Sequence, residues 1–177
     1  MSLRRIPFVS AVAFASLLAG CGFHLRKEAQ LPAVMQRVHI EIADPSSSLA
    51  KDLVKALPRS GAQVVDKVEA GVAVMKFSAN ALSTDVLSVG GTARANEYAL
   101  RYHVEFTVED ASGTAILPKQ TIELTREFTF DATQALGVAS ETDLLGQELE
   151  RDMVQTILRR LEALSKASGR ASENKAR

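Results

Sequence analysis

The sequence contains no tryptophan, a single cysteine, and aromatic residues at only 5%. A folded core must then be assembled from Val, Leu, Ile, Ala and the seven phenylalanines. One cysteine excludes an intrachain disulfide. A bias of charge is missing too: 21 basic side chains face 21 acidic ones, so the chain lacks the basic footprint that general nucleic-acid binding needs. Long apolar runs are scarce. The only one, "IPFVSAVAFASLLAG" from Ile6 to Gly20, is shorter than the roughly 20 residues of a membrane-spanning helix. Signatures of chemistry are also lacking. There is no G-x-S-x-G, and the glycine-containing stretch "GGTARAN" (90–96) lacks the G-K-[ST] ending of a phosphate loop. His24, His39 and His103 are isolated, and no Cys or His cluster has metal-ligand spacing. These absences lead to the expectation of a chain that is not an enzyme and carries no metal or cofactor.

What is present begins at the N-terminus. Arg4 and Arg5 precede the apolar run, which is the grammar of a secretory signal peptide. The run ends in Leu18-Ala19-Gly20-Cys21, which resembles the bacterial lipobox. The resemblance implies cleavage before Cys21, a diacylglycerol on its thiol and an acyl group on its new amino terminus. One acyl chain gives only marginal membrane binding, whereas several hold a protein almost permanently. Residues 1–20 are therefore read as a lipoprotein signal peptide and 21–33 as a lipidated tether. Without Arg4 and Arg5 the charged residues number 19 basic against 21 acidic, a net charge of −2. The remaining 157 or so residues suffice for one domain with a genuine core.

Within 34–165 the patterning is mixed. "QRVHIEIAD" alternates Val38, Ile40 and Ile42 with polar residues, which predicts a half-buried strand. Asp44, Pro45 and the following serines supply turn and N-cap chemistry. Leu49, Leu53 and Leu57 then share one helical face, with Pro58 expected to end the helix and Gly61 to let the chain leave. A short strand is allowed at "AQVVD". "GVAVMKFSANALSTDVLSV" is extended with apolar residues on both faces, as in a strand covered on both sides for part of its length. "EYALRYHVEFTVED" places six apolar residues, from Tyr98 to Val108, at strict period two, a strand of roughly 40 Å. "DASGT" reads as a hairpin connection. "TIELTREFTF" puts Ile122, Leu124, Phe128 and Phe130 on one face, interrupted by Arg126, which is expected to snorkel outward. From Thr142 to Ser165 leucines, Met153 and Ile157 recur every four residues, a helix capped by Thr142 or Asp143. Residues 166–177 are small and polar and are expected to be disordered. The prediction is an α+β domain, two helices packed on one face of a mixed, roughly four-stranded sheet.

The start "CGFHLR", the strand "NEYALRYHVEF", the segment "FTFDATQAL" and the closing "LERDMVQTILRRL" resemble the LPS-assembly lipoprotein family (LptE, also called RlpB). The resemblance spans about residues 21–165, with 60–95 too generic to align. It implies an outer-membrane lipoprotein of Gram-negative bacteria, anchored on the periplasmic side. It implies two partners, the translocon β-barrel LptD, whose lumen such proteins plug and whose assembly they aid, and lipopolysaccharide itself. Under that resemblance Arg94 and then Arg101 are candidate contacts for lipopolysaccharide phosphates, because Arg pairs phosphate bidentately. The competing reading is a general periplasmic lipoprotein that binds a hydrophobic ligand or an envelope scaffold.

The leader yields a direct test. Mass spectrometry of the purified mature protein is expected to find a chain that starts at Cys21 with added acyl mass. An unmodified thiol at that position would refute the anchor.

Overall fold

A computed structural model describes residues 31–89, 95–129 and 135–175. After a single 3-10 turn, Ala33–Met35, come β1 (Arg37–Glu41), α1 (Ser48–Arg59), β2 (Gln63–Val64), β3 (Ala73–Val89), β4 (Ala95–Glu109), β5 (Ala115–Thr129) and α2 (Ala135–Lys175). The strands form one sheet in the order β2-β1-β3-β4-β5. β1 runs parallel to both β2 and β3, and β3, β4 and β5 are antiparallel neighbours. The α+β class and the two helices match the sequence expectation, but the sheet has five strands instead of four. The fifth is β2, the short strand allowed at "AQVVD", although its two residues are too few to express any period. It exists because α1 returns the chain beside β1, as a short β-α-β crossover does.

Local chemistry explains the first half. The Asp44 carboxylate accepts hydrogen bonds from Ser46 N and Oγ, and Ser47 Oγ accepts from Ala50 N at the start of α1. These satisfy donors that a helix start leaves orphaned. Leu49, Leu53 and Leu57 are fully or nearly fully buried. Pro58 lies within the last turn instead of beyond it, and the helix ends one residue later at Arg59. Gly61, at φ +87°, then turns the chain, a conformation that favours glycine.

β3 is apolar on both faces only at its start, where Val72, Ala73, Val74 and Met75 are all buried. A register shift between Phe77 and Ala79 then changes the parity. Met75 and Phe77 pair with Val108 and Phe106, whereas Asn80, Leu82, Thr84 and Val86 pair with Val104, Tyr102, Leu100 and Tyr98. An inserted residue of this kind flips every side chain that follows it. It explains why the run lacked a clean alternation.

The core lies between this face and the helices. Leu100, Tyr102, Val104, Phe106 and Val108 of β4 meet Leu149, Met153, Ile157, Leu158 and Leu161 of α2. Phe77 and Phe106 stack with ring centroids 5.6 Å apart. Each fully buried Leu, Ile, Met or Phe contributes about 1.5–3 kcal/mol of transfer free energy.

Three expectations are corrected here. β5 begins at Ala115, ahead of the predicted Thr121. α2 starts at Ala135 and not at Thr142, so neither Thr142 nor Asp143 is its cap. The same helix continues to Lys175 through residues expected to be disordered. Once nucleated, a helix gains one hydrogen bond per added residue, and no proline lies between Ala135 and Lys175 to stop it. The third is Arg126, which does not simply snorkel into solvent. Its Nη2 donates to Asp152 Oδ2 on α2 at 2.6 Å.

Among the described side chains, the last packed on the core are Leu161 and Leu164. Truncation after Ser165 is therefore expected to leave the melting temperature unchanged, measured by circular dichroism. A fall of several degrees would mean that the final helical turns carry stability.

Candidate functional site

The sheet has two contrasting faces. Even-numbered β4 residues face the helices, and odd-numbered ones form the opposite face together with their neighbours on β3 and β5. That opposite face carries a ladder of paired charges. Arg101 donates from Nε to Asp85 Oδ2 on β3 at 3.1 Å and from Nη1 to Glu123 Oε1 on β5 at 2.5 Å. One guanidinium thus joins three strands, and both carboxylates raise its already high pKa. Lys119 pairs with Glu105 at 2.6 Å, and Ser78 Oγ donates to the same carboxylate at 3.3 Å. The Lys119 ammonium holds Glu105 below the usual carboxylate range. Lys76 pairs with Glu109 at 2.7 Å, which raises the lysine.

His103 stands between Glu105 at 3.6 Å and Glu123 at 3.8 Å. His39 Nδ1 lies 3.0 Å from Val65 O, a structural link between the β1 and β2 segments. Among the described residues no group of His, Cys, Asp and Glu is arranged to hold a metal ion. On the helix-facing side Tyr102 is buried, which pushes its hydroxyl pKa up, and it donates to Asn80 Oδ1 at 2.7 Å.

The expected site residues fare differently. Cys21, His24 and Arg94 lie outside the described residues. Arg101 is placed in the ladder, with two of its donors already taken by carboxylates; a phosphate there would have to displace one of them.

One feature escaped sequence reasoning. β3 and β4 run beyond α1 toward the segment that joins Val89 to Ala95. At this distal pole Leu82, Val86 and Leu144 remain 47%, 54% and 53% exposed on the helix-facing side of the hairpin and the start of α2. Beside them Tyr98 and Phe128 stack at 5.5 Å. Gly146 of α2 lies against this patch, where a Cβ would sit at ordinary contact distance, 3.5 Å from Leu82 Cδ2 and 3.8 Å from Leu100 Cδ2. The parity flip at Ser78 hid Leu82 and Val86 from a period-two reading.

A helix-backed sheet with one self-paired polar face and an open apolar pole is the surface of a binding or assembly module. The comparisons give the family. Residues 35–161 match the family model of LptE, described as lipopolysaccharide-assembly, and the chain belongs to that family. It is a family of assembly proteins and not of enzymes. The chain is 26% identical over 157 residues to the LPS-assembly lipoprotein LptE of Photorhabdus laumondii, covering 89% of this chain and 85% of that one. It is 28% identical over 144 residues to the protein of the same name from Yersinia pestis, covering 81% and 69%. Among solved structures it resembles lipoprotein B of Nitrosomonas europaea, at 31% identity and TM-score 0.70, covering 82% of this chain and 94% of that one. A minor lipoprotein of Acinetobacter baumannii shares the fold at TM-score 0.63 and 22% identity, covering 75% and 94%.

The ladder predicts a pH response. A carboxylate whose folded pKa is depressed stabilises the fold above its unfolded pKa, and that contribution is lost as pH falls through the folded value. Glu105, with an ordinary value of 4.5, is such a group. Acid unfolding is therefore expected to steepen below about pH 4.5, and Glu105→Gln is expected to flatten that acid limb relative to the parent chain. Identical acid limbs would mean that the Lys119 pairing adds nothing to stability.

Proposed function

We propose that the protein is an outer-membrane lipoprotein that plugs the lipopolysaccharide translocon barrel LptD, helps it assemble, and binds lipopolysaccharide on its way to the outer leaflet. The observation that carries this reading is the family match over residues 35–161. The relatives' names, LPS-assembly lipoprotein, support an envelope location and a role in lipopolysaccharide assembly.

The geometry supports the finer reading in two ways. A plug must present polar surface to a polar barrel lumen, and the ladder does so with its cations already paired. Lipopolysaccharide joins phosphates to acyl chains. The distal pole has exposed Leu82, Val86 and Leu144, and Arg94 belongs to the segment that connects the two strands ending there. Mild-detergent extraction followed by affinity capture is expected to recover a large outer-membrane barrel in stoichiometric amount. Recovery of the lipoprotein alone would favour a general periplasmic ligand-binding or scaffold role.

Arg94 and Arg101 are the proposed phosphate contacts. A hydrogen bond to a charged group contributes about 1.5–3 kcal/mol. Arg94→Ala with Arg101→Ala is therefore expected to weaken lipopolysaccharide binding at least about tenfold, and binding by the parent chain is expected to weaken as salt is added. Exposed ion pairs contribute at most about 1 kcal/mol, so the double variant should stay folded. The single variants separate the roles, since Arg101→Ala with parental affinity would leave Arg101 as a link between strands only.

A further inference from the structure

β3 is longer than one of the two strands that flank it. β1 pairs with β3 only from Ala73 to Lys76, whereas β4 accompanies β3 as far as Val89. From Ala79 to Val89 the other side of β3 therefore has no strand beside it among the described residues. Backbone groups directed to that side are left to solvent or to a further strand. Asn80 to Leu87 are all exposed, and Leu82, Val86 and Leu87 stand among the large apolar side chains left uncovered.

The other edges of the sheet are guarded, and this one is not. Edge strands are commonly blunted by shortness, proline or charge. β2 has two residues, and β5 carries Pro118, Lys119, Glu123, Arg126 and Glu127. Between Ala79 and Val89 there is no proline and one charged side chain, Asp85, which pairs with Arg101 of β4. A long edge with so little charge is a template for another strand.

The edge is also complementary to itself. When two identical strands pair antiparallel, opposed residues share a sheet face, so one residue lies opposite its own copy. Pairing along the whole of Ala79–Val89 puts its midpoint, Thr84, in that place. Leu82 then opposes Val86 of the second copy on the helix-facing side, and Asp85 opposes Ser83. The irregularity in β3 after Val86 falls outside these central pairs. Centring on Ser83 instead sets Leu82 against Thr84 and Val86 against Asn80, and centring on Asp85 sets two carboxylates face to face. With Thr84 at the centre, Val89 of the second copy falls opposite Ala79, clear of β1, which ends opposite Lys76.

We propose that two copies of the chain pair through their free β3 edges, antiparallel, with Thr84 on the two-fold axis. The axis is normal to the sheet, so both helix layers lie on the same side and the two tethers leave at opposite ends. The inference stands apart from the barrel reading. For a chain that plugs a barrel, the dimer is the form beforehand, which keeps an aggregation-prone edge covered, and seating in the lumen requires the edges to part.

The test uses the mature chain in mild detergent, with empty micelles in large excess so that copies do not share one by chance. Directly opposed strand residues have Cα atoms about 4.5–5.5 Å apart, within the reach of a disulfide. Under mild oxidation Thr84→Cys is expected to give a covalent dimer, and Thr125→Cys on the β5 edge is expected to stay monomeric, as is the parent chain. Leu82→Cys and Val86→Cys are expected to cross-link when mixed and not when each is alone. Like charges directly opposite destabilise a strand pair. Ser83→Asp creates two such contacts per dimer and should raise the dissociation constant roughly tenfold, measured by analytical ultracentrifugation. Adding Asp85→Ser in the same chain should restore it. A folded Thr84→Cys chain that stays monomeric would overturn the proposal. So would equal cross-linking through Thr125→Cys, or a dissociation constant that Ser83→Asp leaves unchanged.

Discussion

The packing of two periodic stripes governs this molecule. On β4 every second residue from Leu100 to Val108 is buried, and on α2 residues Leu149, Met153, Ile157 and Leu161 follow one another at intervals of four. Period two on a strand and period four on a helix each collect apolar side chains on one side, and the two sides exclude water only when laid together. Everything else is arranged around that contact. α1 adds Leu49, Leu53 and Leu57 to the same layer, Met35 closes it below the first turn, and β3 and β5 extend the sheet on either side of β4.

Because one face is committed to the core, the other is left to water or to a partner. A sheet with bare cations on that face would repel basic surfaces and attract any anion. Here the charges are settled internally, and Arg101 alone bridges Asp85 and Glu123 across three strands. Such exposed pairs add little stability. Their effect is on recognition: a polar face without net unpaired cations suits close contact with a polar wall. The two poles then differ from each other. One carries the point where the chain joins the domain, beside the end of α1; the other carries the uncovered Leu82, Val86 and Leu144.

Membership of the lipopolysaccharide-assembly family LptE gives this asymmetry a setting. Under the proposed anchor at Cys21, a hairpin that runs away from the tether would separate anchoring from contact with cargo or partner. The same chain can then hold its position and present the far pole without rearranging its core.

The amino-acid sequence by itself determined the elements whose signal is local. Six alternating apolar residues specify β4, the four-residue recurrence specifies the body of α2, and Asp44, Ser46 and Ser47 specify where α1 begins. It also carried the family, through "CGFHLR" and the closing helix. Tertiary structure alone decided what depends on partners distant in the chain. β2 is a strand only because α1 brings Gln63 and Val64 beside Arg37 and Val38. The parity flip at Ser78 is visible only against its partner strand, so Leu82 and Val86 could not be assigned to a face beforehand. The sequence set Arg101 among the polar positions of its strand and Arg126 on an apolar face, but it named no carboxylate partner for either. The fold gives one to Asp85 and Glu123 and the other to Asp152 on α2. An ion pair is a contact in space, and no local spacing encodes residues 16 to 26 positions apart.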